Sequence, residues 1–399
     1  MRILFICDTY YPQLNGVYYF VCRLAPLLQE RGHQVAVVAP SETIYSTLKE
    51  IDRLDVYGLP SLPIPNYPNV RFPIPFLLKY RIKRILNRFS PDIIHLQDHF
   101  SISKVVVKVN KKDGVPIIGT NHFMTENLTS FVHSEKWKQI LSTYFWSQFS
   151  KVYNQLLLVT TPSETAARLI RPKLHVNVIS ISSGIDLRKF NPIGYSEEVR
   201  AKYSIPHKPV LLFVGRLDPE KNIEEIIHAV ALAIKKVDFY FVIVGRGVKK
   251  SALEQLALEL GISDRVIFTG FVSDEDLPYI YKLSRCFIIS SIAELLSLST
   301  LQGMASGLPV IAVDMGALRE LVRDKVNGFL YRSGDINMVV QCIIEIVSRD
   351  ELYTNMGRKS LEFSHKHDIH LTVDAFEKIY MYSRVKENRE NGIGIKAYN

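Results

Sequence analysis

The sequence predicts an α/β protein made of two doubly wound domains, each with a parallel sheet covered by helices. Three observations lead to this class. The chain has 399 residues, which is enough for two or three domains of ordinary size. Short apolar runs alternate with stretches of helical spacing, as in a sheet with crossover helices. The alternation starts again near residue 210, after a segment punctuated by Gly184, Pro192 and Gly194.

Ten apolar runs predict the strands. They lie at residues 2–7, 35–39, 92–96, 115–119 and 156–160, and then at 210–214, 239–244, 265–268, 286–290 and 310–313. A helix is expected at 17–29, between the first two runs. We therefore expect domains at 1–185 and 186–370, facing each other across a cleft. Ligands of such sheets bind at the carboxyl ends of the strands, so the residues after each run are site candidates.

Composition excludes several classes of protein. A 47% hydrophobic and 22% charged chain is neither disordered nor fibrous. No apolar run approaches the roughly 18 residues of a membrane span, and Asp8 interrupts the N-terminal run too early for a signal peptide. We therefore expect a cytoplasmic location. The four cysteines lie far apart, which favours reduced thiols over disulfides or a zinc site.

The excess positive charge lies in the first half of the chain. The net charge is +9, and residues 1–190 hold 23 basic and 13 acidic residues, against 26 and 27 in residues 191–399. No acidic residue occurs between Asp55 and Asp92. This distribution predicts an anionic partner for the first domain.

Two segments of the second half carry the chemistry. In residues 211–222, a strand ends at Gly215, Arg216 follows it, and Lys221 begins a helix, which favours a diphosphate site. In residues 290–312, Glu294 follows a strand and a helix is predicted at 297–305, where sugar hydroxyls and an anion could bind. The alternatives are solvated loop charges in the first segment and a capped helix with an incidental Glu in the second.

In their order and spacing, these segments and several others resemble the family 4 retaining glycosyltransferases of the GT-B fold. The matching segments are residues 10–17 (YYPQLNGV), 31–35 (RGHQV), 91–95 (PDIIH), 161–163 (TPS), 183–186 (SGID), 214–216 (VGR), 220–222 (EKN), 244–247 (VGRG) and 304–310 (MASGLPV). The resemblance extends over nearly the whole chain. It implies two Rossmann-like domains, with a C-terminal helix at about 371–386 packing back on the first.

The resemblance also implies roles for individual residues. Arg216, Lys221, Glu294 and His122 are the expected catalytic set: the two cations neutralise the nucleotide diphosphate, and Glu294 and His122 hold the donor sugar. The expected donor-binding residues are Gly16, Gly215, Phe271, Val272, Leu298, Ser299 and Gln302. Asp98 is an acceptor-side candidate. No cofactor is expected, and a metal ion is unnecessary where protein cations hold the diphosphate.

Two positions depart from the family pattern. Gln302 stands where the family usually has a second Glu, which is expected to accept hydrogen bonds from ribose hydroxyls. An amide oxygen can still accept such bonds, with a loss of about 1 kcal/mol relative to a carboxylate. Ser183 stands where an Asn is common, which indicates an adjusted turn.

Other motifs are better explained structurally. Residues 274–276 (DED) look like a metal-binding Asp-x-Asp motif, but Ser273 before them predicts a helix cap. His95, Asp98 and His99 follow a predicted strand and are expected to form its polar end. A Gly-x-Gly-x-x-Gly after the first strand and a Walker lysine are both lacking, which argues against dehydrogenases and P-loop enzymes.

The acceptor is predicted from the basic segment 71–88. Apolar residues and cations alternate there at helical spacing, which favours an interfacial helix on anionic lipid, with a core-packed helix as the alternative. Residues 119–128 and 293–298 resemble the subset that glucosylates diacylglycerol. We therefore expect transfer of a hexose, from UDP-glucose, to a membrane lipid, at the inner face of the cell membrane.

Two other functions remain open at this point. One is transfer from GDP-mannose to a polyprenyl-linked or soluble glycan in capsule or lipopolysaccharide assembly. The other is a non-catalytic sugar-nucleotide binder, because Gln302 departs from the pattern. No nucleic-acid partner is expected.

Overall fold

The computed structural model describes residues 1–13, 15–64, 67–112, 114–124, 134–190 and 196–390, the last five of these and residues 67–69 without their side chains. The described chain forms two compact units. The first is Met1–Ser183 together with the segment from Ile369 onward, and the second is Gly184–Asp368. Each unit has one large sheet with helices on both faces.

The first unit contains an eight-stranded sheet and a separate hairpin. The strands are β1 (Arg2–Ile6), β2 (Gln34–Pro40), β3 (Thr47–Ile51), β4 (Leu54–Leu59), β5 (Ser61–Ile64), β6 (Tyr67–Pro73), β7 (Ile93–Leu96), β8 (Ile117–Thr120), β9 (Leu158–Thr161) and β10 (Asn177–Ser180). The sheet order is β10-β9-β8-β7-β1-β2-β4-β3, with β3 antiparallel to β4 and every other pair parallel. Strands β5 and β6 form the hairpin.

The helices of this unit pack on both faces of the sheet. They are α1 (Gly16–Glu30), α2 (Leu78–Phe89), α3 (Ser101–Asn110), α4 (Glu135–Tyr153), α5 (Glu164–Ile170) and α14 (Ile369–Glu390). One apolar core joins buried residues of α2, α3, α4 and α5 to the sheet, and a second core joins those of α1 and α14. Right-handed crossovers explain this division, because the chain runs outward from β1 in opposite directions through β2 and through β7 to β10.

The second unit has a six-stranded parallel sheet in the order β13-β12-β11-β14-β15-β16. Its strands are β11 (Val210–Val214), β12 (Tyr240–Val244), β13 (Val266–Gly270), β14 (Cys286–Ile289), β15 (Val310–Val313) and β16 (Gly328–Tyr331). Its helices are α6 (Glu197–Lys202), α7 (Ile223–Ala233), α8 (Lys250–Glu259), α9 (Leu277–Lys282), α10 (Leu298–Ala305), α11 (Leu318–Leu321), α12 (Ile336–Ser348) and α13 (Asp350–Ser364). Strand positions 211–213, 241–243 and 310–313 are buried, as expected for a sheet covered on both faces.

The prediction of parallel strands with crossover helices is confirmed. Each of the ten predicted runs overlaps one strand of the structure, and the ends of the two agree within two residues. Residues 47–73 were not predicted to contain strands, yet they form β3 to β6. Among the described residues, no helix combines the length and the apolar character needed to cross a lipid bilayer.

The basic segment 71–88 differs from the predicted interfacial helix in two ways. Arg71 lies in β6, where its guanidinium donates to the backbone oxygen of Ser41 at 2.7 Å and to the hydroxyl of Ser61 at 2.8 Å. Helix α2 begins only at Leu78, and its apolar residues Leu78, Ile82 and Leu86 are buried in the core. The core therefore takes the apolar stripe, and the exposed face of α2 is basic.

The C-terminal helix α14 is anchored to the first unit by polar contacts. His95, at the end of β7, contacts the Tyr380 hydroxyl through Nδ1 at 2.8 Å and the Thr120 hydroxyl through Nε2 at 2.7 Å. Burial lowers the pKa of His95 well below its usual value, so the ring is neutral and has one donor and one acceptor nitrogen. At the helix surface, Glu377 pairs with Arg31 and His33, both at 2.8 Å.

We expect Tyr380→Phe to lower the free energy of unfolding by about 1 to 3 kcal/mol, because it leaves a fully buried His95 nitrogen without a partner. Urea denaturation followed by circular dichroism measures the change. The matched control is Tyr382→Phe on the same helix, where the side chain is 61% exposed and no change is expected. Equal effects of the two substitutions would contradict the anchoring role of Tyr380.

Candidate active site

The second unit presents its site at the point where the strand order reverses. Strands β11 and β14 are neighbours at the centre of the sheet, and their following connections leave in opposite directions. Ligands of open α/β sheets bind in the crevice between such connections. The loop after β11 carries Arg216 and Lys221, and the loop after β14 carries Glu294.

Close backbone packing shapes the floor of this site. Gly215 N donates to Val244 O at 3.0 Å, and Gly245 N donates to Gly270 O at 2.9 Å, which ties three strand ends together. Gly245 has a φ of +143°, and a Cβ there would collide with the Gly215 carbonyl. Only glycine fits this position, because both its conformation and its space exclude a side chain.

Arg216 lies over two buried carboxylates. Its guanidinium pairs with Asp218 and, at 2.6 Å, with Glu220. The two carboxylate side chains are only 9% and 5% exposed, whereas that of Arg216 is 59% exposed. The two carboxylates thus hold the guanidinium on its buried side, and its solvent-exposed side is open to an anion. The sequence prediction named Arg216 but missed these two acids, although they follow it within four residues.

Lys221 pairs directly with Glu294. Their Nζ and Oε1 atoms are 2.6 Å apart, and the side chains are 15% and 13% exposed. The Ser290 hydroxyl lies 2.7 and 2.9 Å from the backbone oxygens of Lys221 and Asn222 and shares its single proton between them, which fixes the turn before α7. The predicted cation and the predicted sugar-binding acid are therefore brought together and neutralise one another.

Helix α10 begins at the same edge of the sheet. Ser297 caps it by accepting a hydrogen bond from Thr300 N at 3.3 Å, and no acidic residue lies in its first turn. Leu298 and Ser299 form that first turn, as predicted from the small polar residues. One turn later, the partly exposed Gln302 contacts the hydroxyl of Tyr281 at 2.9 Å. Tyr281 was not among the predicted site residues.

The loop after β13 supplies the predicted base-binding residues. Gly270 has a φ of +70°, which turns the chain so that Phe271 is 54% exposed and Val272 is buried. The Arg246 guanidinium lies 5.7 Å from the Phe271 ring centre. Because the Val272 side chain belongs to the core, only its backbone groups are open to a ligand.

In the first unit, two aspartates hold the strand ends at the corresponding point between β1 and β7. Asp98 Oδ2 accepts hydrogen bonds from Asp8 N and Thr9 N, both at 3.0 Å, and from the Thr9 hydroxyl at 3.2 Å. Asp8 accepts in turn from Phe100 N at 3.1 Å and Ile102 N at 2.6 Å, at the start of α3. Each aspartate therefore fixes the loop that follows the other one's strand.

This pairing has an electrostatic cost. Burial, with the neighbouring Asp8 as the second cause, raises the pKa of Asp98 to about 7. Burial likewise raises the pKa of Asp8. The predicted acceptor-side residue Asp98 thus has a defined structural contact, through which it shapes the loop leading to α1.

Two other predicted residues of the first unit lie near this loop. Gly16 is the first residue of α1, after Asn15, whose amide donates to the Thr9 hydroxyl at 3.0 Å. A Cβ at Gly16 would meet no described atom within 4 Å. His122 Nε2 lies 2.9 Å from Gln97 Oε1, and burial followed by the charge of Arg23 lowers its pKa to about 3. The His122 ring is therefore neutral at physiological pH.

The motifs that were predicted to be structural, residues 273–276 and His99, make contacts within the protein. Ser273 accepts from Asp276 N at 3.2 Å, and Asp276 pairs with Lys202 at 2.7 Å. His99 is fully buried and lies 4.7 Å from Phe123 between ring centres. Across the described ranges, no group of three His, Cys, Asp or Glu side chains is arranged to hold a metal ion. Residues 125–128 of the segment 119–128 lie outside the described residues.

The matches to known protein families identify the chain as a glycosyltransferase that uses a nucleotide sugar. Residues 196–363 match the family model described as "Glycosyl transferases group 1", and residues 14–189 match "Glycosyltransferase Family 4". The chain belongs to this family of glycosyltransferases and is a hexosyltransferase. The predicted family and fold are confirmed.

Similar proteins are named for different activities. The chain is 30% identical to alpha-monoglucosyldiacylglycerol synthase of Streptococcus pneumoniae, over 83% of this chain and 75% of the relative. It is 25% identical to a GDP-mannose-dependent alpha-mannosyltransferase of Mycobacterium tuberculosis, over 90% and 92% of the two chains. Among solved structures, sucrose-phosphate synthase of Thermosynechococcus elongatus has a TM-score of 0.79 at 20% identity, covering 96% and 98% of the two chains.

We expect the stability difference between Asp98→Asn and wild type to depend on pH. Folding raises the pKa of Asp98, so its contribution to stability is complete below its unfolded pKa and is lost as pH rises toward about 7. Between pH 4 and pH 7 the variant should gain about 3 kcal/mol relative to wild type, because the pKa of Asp98 is raised by about three units at roughly 1.36 kcal/mol each. Urea denaturation at several pH values measures this.

Asp264→Asn is the control for this series, because its side chain is 76% exposed. Its stability relative to wild type should stay constant over the same range. A constant difference for Asp98→Asn as well would contradict the raised pKa of the buried Asp98 carboxyl group.

Proposed function

We propose that the protein is a retaining hexosyltransferase that moves glucose from UDP-glucose to the hydroxyl of a membrane lipid of the diacylglycerol type. The observation that carries the proposal is the cluster of Arg216, Lys221 and Glu294 at the carboxyl edge of the second sheet. Two cations and one hydroxyl-binding carboxylate match a sugar joined to a diphosphate. The choice of acceptor is supported by two relatives that are named alpha-monoglucosyldiacylglycerol synthase.

Binding of the donor would replace the ion pair between Lys221 and Glu294 by contacts to the donor. The Lys221 ammonium, now paired with Glu294, would turn to the diphosphate, and the released carboxylate would accept hydrogen bonds from sugar hydroxyls. Arg216 would need no such release, because its outer side is already exposed. Both cations would stabilise the negative charge that develops on the leaving group.

In the reaction, the bond between the anomeric carbon and the diphosphate oxygen breaks, and the acceptor oxygen bonds to that carbon on the same face. The acceptor proton passes to the departing phosphate oxygen, so the products are the glucolipid and UDP. This route needs no side-chain base. We propose that no metal ion is required, since Arg216 and Lys221 supply the positive charge.

The membrane contact is proposed for the outer surface of α2, α3 and α4, which we call the basic layer. These three helices hold ten Lys or Arg residues, five in α2, two in α3 and three in α4, against the single acid Glu135. They pack side by side on one face of the first sheet. Each cation near an anionic lipid surface contributes about 1 kcal/mol of attraction.

Exposed apolar side chains accompany the basic layer. On α4, Trp137, Ile140 and Tyr144 are spaced three and four residues apart and are 59%, 46% and 55% exposed. Phe76, before α2, is 74% exposed. Tryptophan and tyrosine favour the interface between headgroups and acyl chains. The apolar side chains of α2 are buried in the core and cannot contact a membrane. We therefore assign the apolar part of the proposed contact to these exposed residues.

We expect the double variant Arg216→Ala, Lys221→Ala to bind UDP about 100-fold more weakly than wild type, because two charge-assisted contacts to phosphate are lost. Isothermal titration calorimetry measures the affinity. The control removes two exposed cations elsewhere in the second unit, Arg319→Ala and Lys236→Ala, and should leave it unchanged. An unchanged affinity in the site variant would refute the diphosphate site.

We expect radiolabelled glucose from UDP-glucose to enter lipid when the enzyme is incubated with vesicles of anionic phospholipid that contain diacylglycerol. Thin-layer chromatography separates the products. The triple variant Lys79→Glu, Lys83→Glu, Arg84→Glu should lose vesicle binding and most lipid glucosylation while keeping its UDP affinity, because all three side chains are exposed in the basic layer.

The matched control makes the same charge change on the second unit, with Lys235→Glu, Lys236→Glu and Arg358→Glu, and should behave as wild type. Label in a water-soluble glycan, or label taken only from GDP-mannose, would favour the mannosyl alternative that other relatives represent. Nucleotide binding without turnover would favour a non-catalytic binder. Vesicle binding by the triple variant equal to that of wild type would contradict the basic layer.

A further inference from the structure

The hydroxyl of Tyr281 lies between two groups of helix α10. Tyr281 belongs to α9 and is fully buried, with its ring 5.8 Å from that of Phe190. Its oxygen is 3.0 Å from the backbone oxygen of Ser299 and 2.9 Å from the amide oxygen Oε1 of the Gln302 side chain. Three polar groups therefore meet at one point beside Ser299 and Gln302, two of the predicted donor-binding residues.

The number of available protons restricts how these groups can pair. A tyrosine hydroxyl has a single proton, and burial raises the pKa of Tyr281 well above its usual value, so that proton stays in place. The Ser299 carbonyl can only accept. If Tyr281 donated to an amide oxygen of Gln302 instead, its own oxygen and that of Ser299 would be two acceptors 3.0 Å apart.

All three groups are satisfied in one arrangement. In it Tyr281 donates to Ser299 O, and the Gln302 amide is turned by 180°, so that its NH₂ end replaces Oε1 beside the tyrosine oxygen and donates to it. The two ends of an amide have the same shape, and the surrounding hydrogen bonds decide which way it faces. The amide oxygen of Gln302 then points away from Tyr281, toward the partly exposed side of α10.

We infer that Tyr281 is a positioning residue that holds the Gln302 amide with its oxygen toward the donor nucleotide, where it accepts a hydrogen bond from a ribose hydroxyl. The inference rests on the proposed donor site. It accounts for the presence of Gln302 where related chains carry a glutamate. A carboxylate offers an acceptor oxygen in either orientation, whereas an amide does so in one, so only the amide needs a neighbour that selects its orientation.

The test compares Tyr281→Phe in two backgrounds, wild type and Gln302→Glu, with two ligands, UDP and its 2′,3′-dideoxy analogue. The substitution removes one oxygen and keeps the buried ring. In wild type it should weaken UDP binding about two- to fivefold, because the fraction of correctly oriented amide falls. In the Gln302→Glu background it should change UDP affinity by less than about 1.5-fold, since no orientation is to be selected.

The dideoxy analogue separates positioning from structural damage. Lacking the ribose hydroxyls, it should bind Tyr281→Phe and wild type equally well in calorimetry. Equal weakening of both ligands, equal weakening in both backgrounds, or no weakening of UDP at all would each overturn the inference. If the wild type binds GDP rather than UDP, GDP and its dideoxy analogue are the ligands used. If it binds neither nucleotide, the proposed function fails and this inference fails with it.

Discussion

The ion pair between Lys221 and Glu294 joins the two loops that diverge at the centre of the second sheet. Both side chains are mostly removed from water, and removing one partner of such a pair would leave the other charge buried without compensation. The site therefore keeps its cation and its anion together. A ligand that separates them has to offer an anion to the lysine and hydroxyl groups to the carboxylate. A sugar joined to a diphosphate offers both on neighbouring atoms.

The same requirement explains the arrangement around Arg216. Asp218 and Glu220 are almost fully buried, so they need the guanidinium as a counter-charge, and the guanidinium in turn is held in one place. Counting the formal charges of Arg216, Lys221, Asp218, Glu220 and Glu294 gives a net charge of −1. The affinity for a diphosphate would thus come from the placement of two cations and from the N-terminus of α10, and not from an excess of positive charge.

In the first unit, backbone N–H groups hold two buried acids. Asp8 and Asp98 are buried beside each other and are stabilised by backbone N–H groups from the loops after β1 and β7. Such bonds favour ionised carboxylates, whereas burial and mutual repulsion oppose ionisation. The excess positive charge of this unit lies elsewhere, on the surface of α2, α3 and α4. The acids at the strand ends and the cations of the basic layer therefore lie on different parts of the unit.

Sequence alone determined the features that depend on neighbours along the chain. The apolar runs predicted the strands, and Ser297 and Ser273 predicted helix starts, because periodicity and capping act over a few residues. The order and spacing of the motifs predicted the family. Only the tertiary structure decided which groups meet across long separations. It placed Glu294 on Lys221 and Tyr281 on Gln302, and it buried the apolar stripe of α2. The spacing of residues along one helix shows that a stripe exists, but the packing of the other elements decides whether the core or the solvent receives it.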